Sequence, residues 1–259
     1  MVFGAICGDM IGSLYEINPV KTKDFEWLNP YSRFTDDTVL TVAVASALLA
    51  NRDYGKALKT FARRYPFAGY GDRFDHWARD DSYAPYNSCG NGSAMRVSGV
   101  GYAFDSLEDV VSEARETARV THNHPEGIKG AQAVAACIFL ARTGVEKSAI
   151  KQVIATCFQY DLDQKLDDIR PAYFFDVTCQ GSVPQSIVAF LESDNFESAI
   201  RNAISLGGDS DTMACIAGSI AQAYYRHIPS EIIEFVRRKL PADLLEVVDA
   251  FNERFEVMY

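Results

Sequence analysis

Apolar residues recur along this chain with a period close to 3.6, and no run of alternating β-branched residues stands out, so the pattern predicts an all-α fold. Residues 38–50, 131–142 and 213–225 are apolar on nearly every face, which predicts central helices enclosed by others. The remaining helical patterns are one-sided. Phe196, Ala199, Ile200, Ala203 and Ile204 make one stripe, and Leu244, Leu245, Val248 and Phe251 make another, so these helices should ring the core. Ser106, with Asp109 three residues on, offers a capped start to the helix that follows. Gly4, Gly8 and Gly12 recur every fourth residue within the first helical pattern, along one face where a second helix could approach closely. Two stretches, 18–35 and 66–96, resist a helical reading. Both are rich in aromatic, Pro, Asn, Asp and Gly residues, and long irregular segments inside a compact domain often carry function.

At 259 residues and 48% hydrophobic composition the chain can bury a large core, and no Gly/Ser-rich, Pro-rich or single-charge linker divides it; one domain over residues 1–259 is expected. The net charge of −10 sets the average surface against phosphate backbones and anionic lipids, so neither nucleic acid nor membrane is an expected partner. An anionic ligand would need local positive potential from metal ions, helix N-termini or a few arginines. The six cysteines show no CxxC spacing and lie mostly in apolar or helical stretches, which reads as reduced structural thiols in a cytoplasmic protein. The apolar run 2–14 lacks a basic flank, contains Asp9, and is too short to span a bilayer.

Thr35-Asp36-Asp37-Thr38 stands directly before one enclosed helix, and Gly208-Asp209-Ser210-Asp211-Thr212 directly before another. N-capping is the plain structural explanation, since Thr, Asp and Ser are preferred caps. One cap suffices for a helix, however, and each site carries two aspartates and at least one further hydroxyl. Four carboxylates near a buried helix layer would raise some of their pKa values unless cations compensated. The donors are all oxygen, which suits Mg²⁺, Mn²⁺ or Ca²⁺ and argues against zinc. If the two helices pack side by side, Thr35, Asp36, Asp37, Asp209, Asp211 and Thr212 could hold two ions ~4 Å apart.

Taken in order, Gly8-Asp9, Gly12-Ser13-Leu14-Tyr15-Glu16, Thr35-Asp36-Asp37-Thr38, Gly90-Asn91-Gly92-Ser93-Ala94-Met95-Arg96, Thr121-His122 and Leu206-Gly207-Gly208-Asp209-Ser210-Asp211-Thr212 resemble the ADP-ribosylglycohydrolase family. The resemblance implies a single-domain orthogonal bundle of helices with a binuclear Mg²⁺ site, sometimes Mn²⁺, at the mouth of an ADP-ribose cleft. Carried over residue by residue, it implies that Thr35, Asp36, Asp37, Asp209, Asp211 and Thr212 hold the metals. Glu16 matches a glutamate that some members place beside the metals, and it is expected to act catalytically with Asp36 and Asp209. Gly90, Asn91, Gly92 and Ser93 match a loop whose backbone amides cradle the diphosphate, helped by the N-terminus of the helix after it. His122 matches a histidine at the ribose and phosphate end, and Gly207 and Gly208 join the substrate-binding set. The implied reaction is hydrolysis of the glycosidic bond between ADP-ribose and an acceptor, through an oxocarbenium-like transition state with water activated by the metal ions. The implied partner is an ADP-ribosylated protein or a small ADP-ribose conjugate, met by a monomer. Arginine, serine and acyl-ester linkages stay open, the context of Glu16 leaning toward O-linked substrates.

Two other functions fit parts of the pattern. A catalytically silent ADP-ribose-binding protein would share the fold but lack metal ligands or the acidic residue, whereas all are present here. An all-helical phosphohydrolase also gathers aspartates around two ions, yet usually adds histidines, which do not accompany these clusters. Single residues carry alternatives too. His122 and His124 could form an H-x-H zinc motif. Arg96 could bind phosphate or pair with a carboxylate. Phe67, Tyr70, Phe74, Trp77, Tyr173 and Phe174 are packing residues or adenine platforms. Asp9 is expected to stabilise local structure.

Overall fold

The computed structural model describes residues 2–80 and 84–257. Within them the chain forms helices α1 (Phe3–Ile17), α2 (Asp36–Leu49), α3 (Tyr54–Arg64), α4 (Asp72–Arg79), α5 (Gly92–Met95), α6 (Val100–Ala103), α7 (Leu107–Arg119) and α8 (Pro125–Arg142). There follow α9 (Lys147–Phe158), α10 (Leu166–Ile169), α11 (Cys179–Leu191), α12 (Phe196–Ile204), α13 (Ser210–Tyr225), α14 (Ser230–Lys239) and α15 (Ala242–Arg254). No strand occurs among the described residues; Gly90 and Thr178 form an isolated antiparallel bridge. None of the described helices is long and apolar enough to cross a membrane.

The three segments that are apolar all round become α2, α8 and α13, and the buried side chains of the protein form one core around them. Amphipathic helices cover that core. All five apolar residues of the 196–204 stripe are buried in α12, and Leu244, Val248 and Phe251 are buried in α15. Ser106 caps α7 by accepting from the Asp109 amide at 3.1 Å.

The glycine stripe of α1 sets the closest helix pair. α1 and α13 run antiparallel with Gly4 against Gly218, Gly8 against Ala214 and Gly12 against Ser210. A Cβ on Gly8 would stand 2.0 Å from the Ala214 carbonyl oxygen, far inside contact distance, so only glycine permits this approach. The pairing is extended at its far end, where the Gly4 amide donates to the Gln222 side chain at 2.6 Å.

The second stretch read as irregular contains a helix after all. In α4, Phe74, Trp77 and Ala78 are buried at helical spacing. Eight residues give too few repeats for the period to stand out among their Gly, Asp and Tyr neighbours. Residues 81–83 of that stretch, and residues 1, 258 and 259 of the expected domain, lie outside the described ones.

Candidate active site

Continuing the α1–α13 register one turn past Gly12 brings Glu16 to the start of α13. Oxygens of Glu16, Asp209 and Asp211 there lie within 4.8 Å of one another. α2 is held to the same place from α1. The buried Asp9 carboxylate accepts from the Thr35 amide at 2.9 Å, the Thr35 hydroxyl at 2.7 Å and the Thr38 amide at 3.1 Å, and also from the Thr38 hydroxyl. Asp9 is thus the structural residue that its sequence context suggested. The Thr212 hydroxyl then donates to Asp37 Oδ2 at 3.2 Å, so the two acidic clusters meet.

Capping accounts for only part of this gathering. Thr35 is a working cap, its hydroxyl accepting from the Asp37 amide at 3.3 Å, and Asp211 Oδ1 accepts from the Thr212 amide at 2.9 Å. Asp209 occupies the cap position of α13 without making a cap bond; instead Asn91 Nδ2 donates to its Oδ2 at 2.7 Å. Asp37 Oδ1 is buried and has no hydrogen-bond partner, and the nearby Cys215 thiol donates to the Met95 carbonyl at 3.3 Å.

These groups resist ionisation because they are gathered together, Asp9, Asp37, Asp209 and Asp211 buried and Glu16 and Asp36 half-buried. Asp36 is pushed up to about 8, first by burial and then by the charges of Asp9 and Asp209. Asp9 is raised to about 6 by burial, against the hydrogen bonds it accepts from Thr35 and Thr38. Burial and neighbouring carboxylates hold Asp37 and Asp211 well above the usual range. Glu16 is raised by burial, then by Asp209 and Asp9, with Arg33 opposing. No ion pair reaches these carboxylates among the described residues. An all-oxygen set with an orphaned buried carboxylate oxygen fits a hard divalent cation, whose charge would remove the repulsion.

The carboxylates line a cleft of about 430 Å³ that continues past the glycine loop to Arg96 and His122. The loop is tied down on one side, the Asn91 amide donating to the Val177 carbonyl at 2.8 Å and the Gly90 amide to Ser88 Oγ at 3.1 Å. A Cβ on Gly92 would stand 3.2 Å from His122 Nε2, so the absence of a side chain keeps space open in front of that ring. Arg96 has no exposed surface. Its Nη2 donates to the Thr117 carbonyl and the Thr121 hydroxyl, both at 2.9 Å, while Nε and Nη1 have no partner. Burial lowers this guanidinium only to about 10, so it stays charged at neutral pH. Beside it the Tyr86 ring lies 5.9 Å from His122 and 5.0 Å from the Arg73 guanidinium. One cleft therefore has an acidic end and a basic end.

The profile of the ADP-ribosylglycohydrolase family matches residues 1–258. The chain belongs to this family. Membership makes it an ADP-ribosyl hydrolase enzyme. Among proteins it is similar to are ADP-ribosylhydrolase ARH3 of Homo sapiens, 28% identical over 86% of this chain and 83% of that protein, and its Gallus gallus counterpart, also 28% identical over 86% and 83%. ADP-ribosylarginine hydrolase Tri1 of Pseudomonas putida is 25% identical over 100% of this chain and 80% of its own. A solved structure described as an ADP-ribosylglycohydrolase-related protein complex superposes with a TM-score of 0.76 over 97% of this chain and 95% of that one, at 24% identity, and shares the fold.

Within this ADP-ribosylglycohydrolase fold the residues singled out from sequence separate into three groups. Glu16, Asp36, Asp37, Asp209, Asp211 and Thr212 line the acidic end, with Thr35 buried just behind it. Gly90, Asn91, Gly92 and His122 line the cleft. Others face away. The Ser93 hydroxyl is buried and donates to the Gly127 carbonyl at 2.7 Å, and the Asn91 amide group belongs to Asp209. Gly207 has φ +64°, and a Cβ there would lie 2.9 Å from the Val20 carbonyl, while one on Gly208 would lie 2.4 Å from the Tyr173 ring. Gly207 sits at a turn and Gly208 packs closely on Tyr173, and neither is among the residues that line the cleft. The helix expected to add potential behind the loop is the single turn α5, too short for an appreciable dipole, so the local positive charge comes from Arg96 and from Arg73 on the cleft wall.

Further alternatives are resolved by contacts. Arg96 pairs with no carboxylate. His124 caps α8, its Nδ1 accepting from the Glu126 amide at 3.1 Å, which leaves no H-x-H pair for zinc. Tyr70 stacks on Phe74, which meets Trp77 at a tilt, and only Phe74 of the three reaches the cleft, while Phe67 is exposed. Tyr173 donates to the Gly181 carbonyl at 2.6 Å and serves packing. Sequence reasoning missed Arg73, Tyr86, Phe175 and Val177 on the cleft wall. Tyr86 lies in a stretch already marked as functional, but Phe175 and Val177 carried no signal, because only the bridge to the glycine loop brings them there.

Proposed function

We propose that this chain hydrolyses the glycosidic bond joining ADP-ribose to an acceptor, either a modified protein side chain or a small ADP-ribose ester, and that the reaction depends on Mg²⁺. The observation that carries this reading is a single cleft with an unneutralised acidic cluster at one end and an unpaired buried guanidinium at the other. ADP-ribose complements both, its diphosphate needing positive potential and its anomeric carbon a site for water activation. The names of the similar proteins, ADP-ribosylhydrolase and ADP-ribosylarginine hydrolase, support the reaction class and span more than one acceptor.

Thr35, Asp36, Asp37, Asp209, Asp211 and Thr212 would hold two Mg²⁺ ions, with Mn²⁺ as a substitute. When bound, the ions neutralise the cluster and supply the Lewis acidity that activates water near neutral pH. The residues of the chain do the rest. Glu16 takes the proton of the attacking water, Asp36 and Asp209 fix the reacting groups from opposite helices, and Asn91 keeps Asp209 in place. The water oxygen bonds to the anomeric carbon as the bond to the acceptor breaks, and the proton taken by Glu16 passes to the departing acceptor, releasing ADP-ribose. Toward the basic end, the Gly92 amide, His122 and the charge of Arg96 receive the diphosphate and its ribose. The six free cysteines fit reduced thiols, and we propose a monomer acting in the cytoplasm.

Incubation of the protein and Mg²⁺ with arginine-linked, serine-linked and O-acetyl-ADP-ribose substrates tests the reading. Free ADP-ribose should appear from at least one of them and EDTA should stop it. Binding without turnover, or release of phosphate, would overturn it.

A further inference from the structure

The basic end contains a chain of contacts that the proposed reaction does not by itself require. Arg96 can only donate, and its Nη2 donates to the Thr121 hydroxyl oxygen at 2.9 Å. That oxygen lies 2.7 Å from His122 Nδ1. The opposite nitrogen, Nε2, faces the glycine loop, where a Cβ would stand 3.2 Å away on Gly92 and 3.5 Å away on Gly90. Thr121 has no exposed surface and His122 is buried apart from its edge on the cleft.

We infer that Arg96 and Thr121 form a positioning relay that fixes the neutral His122 ring with its proton on Nε2, directed at the 90–92 loop. A hydroxyl has one proton to give and two lone pairs. One lone pair of Thr121 is taken by Arg96, and Nδ1 of His122, 2.7 Å away, is the acceptor that its hydrogen-bond contacts offer for its proton. The hydroxyl proton then goes to Nδ1, and donation from a cation strengthens it in that role. The opposite tautomer would leave the hydroxyl accepting from Arg96 and His122 together and turn the free nitrogen lone pair toward the anion-binding loop. A charged ring is disfavoured as well: burial first, then Arg96 and Arg73, hold His122 well below its usual pKa. Through this relay a buried arginine without a carboxylate determines which way a neighbouring histidine donates. Arg96 and Thr121 are positioning residues, and their effect on ligand rests on the proposed binding of ADP-ribose in this cleft.

Two-bond ¹H–¹⁵N correlation spectra of the full ¹⁵N-labelled chain, which has four histidines, report the tautomer of each ring. Ligand-free protein should show His122 neutral with the proton on Nε2 between pH 6 and 8. Thr121→Val should shift the ring toward the Nδ1–H form and weaken ADP-ribose binding by about tenfold by calorimetry, and Thr121→Ser should restore both. A wild-type ring that is charged or protonated on Nδ1 overturns the relay without recourse to any variant. So does an unchanged tautomer in Thr121→Val, even with weakened binding, because the hydroxyl would then act on the ligand directly. If wild-type protein binds no ADP-ribose, the functional reading fails while the tautomer measurement stands on its own.

Discussion

The two ends of the cleft are both buried, both charged and both incompletely partnered, yet they are built in opposite ways. The acidic end draws carboxylates from α1, α2 and α13, and each raises the pKa of the next. The basic end holds the Arg96 guanidinium between a backbone carbonyl and a hydroxyl, with two of its nitrogens unpartnered, and has Arg73 on the cleft wall beside it. A cluster of like charges opposes its own assembly and needs a mobile cation, whereas a single charge in a polar cradle is preorganised without help. The acidic end should therefore respond to metal and pH, and the basic end to neither.

Removal of metal should separate the ends most sharply. EDTA is expected to abolish turnover, with Mg²⁺ or Mn²⁺ restoring it and Zn²⁺ doing so poorly, while ADP-ribose still binds measurably through the basic end. Full turnover in a verified metal-free preparation would break the comparison.

Next in size is Glu16→Gln. The substitution keeps the shape of the side chain and removes its capacity to take a proton, so kcat should fall by ~10²–10⁴ with the fold and ADP-ribose affinity nearly unchanged. Wild-type kcat in this variant would remove Glu16 from the chemistry.

Gly8→Ala tests the scaffold of the acidic end alone. Its Cβ collides with the Ala214 carbonyl, and overpacking of this kind costs about 1–3 kcal/mol. Calorimetric Tm should drop by about 2–4 °C for each of those kcal/mol, and activity should suffer further as Glu16 leaves the register of Asp209. An unaltered Tm would mean that the two helices are not locked as closely as described.

The smallest effect is on stability against pH in metal-free protein. Asp9 and Asp36 bind protons more tightly when folded, near 6 and 8, than in the unfolded chain, where carboxyls titrate at about 4. Their contribution is complete below about pH 4 and is lost as pH rises through the folded values. Between pH 5.5 and 8 the metal-free Tm should fall by on the order of 5 °C, and Mg²⁺ should flatten the slope. A metal-free Tm that rises over this range would contradict the assigned shifts.

Much of this molecule was legible in its sequence because local spacing determines which residues share a helix face. The enclosed helices α2, α8 and α13, the Ser106 cap, the Gly4-Gly8-Gly12 contact face and the two acidic helix starts all follow from repeats a few residues long. The short α4 escaped because eight residues repeat the pattern too few times. Only tertiary structure decided that Glu16 meets Asp209 and Asp211, that Asn91 serves Asp209 while Gly207 and Gly208 serve packing, and that Arg96 has a threonine and a carbonyl for company. Spacing specifies the face a residue occupies, but the partner of that face is set by how closely distant helices approach, and here that distance is fixed by the missing side chains of α1.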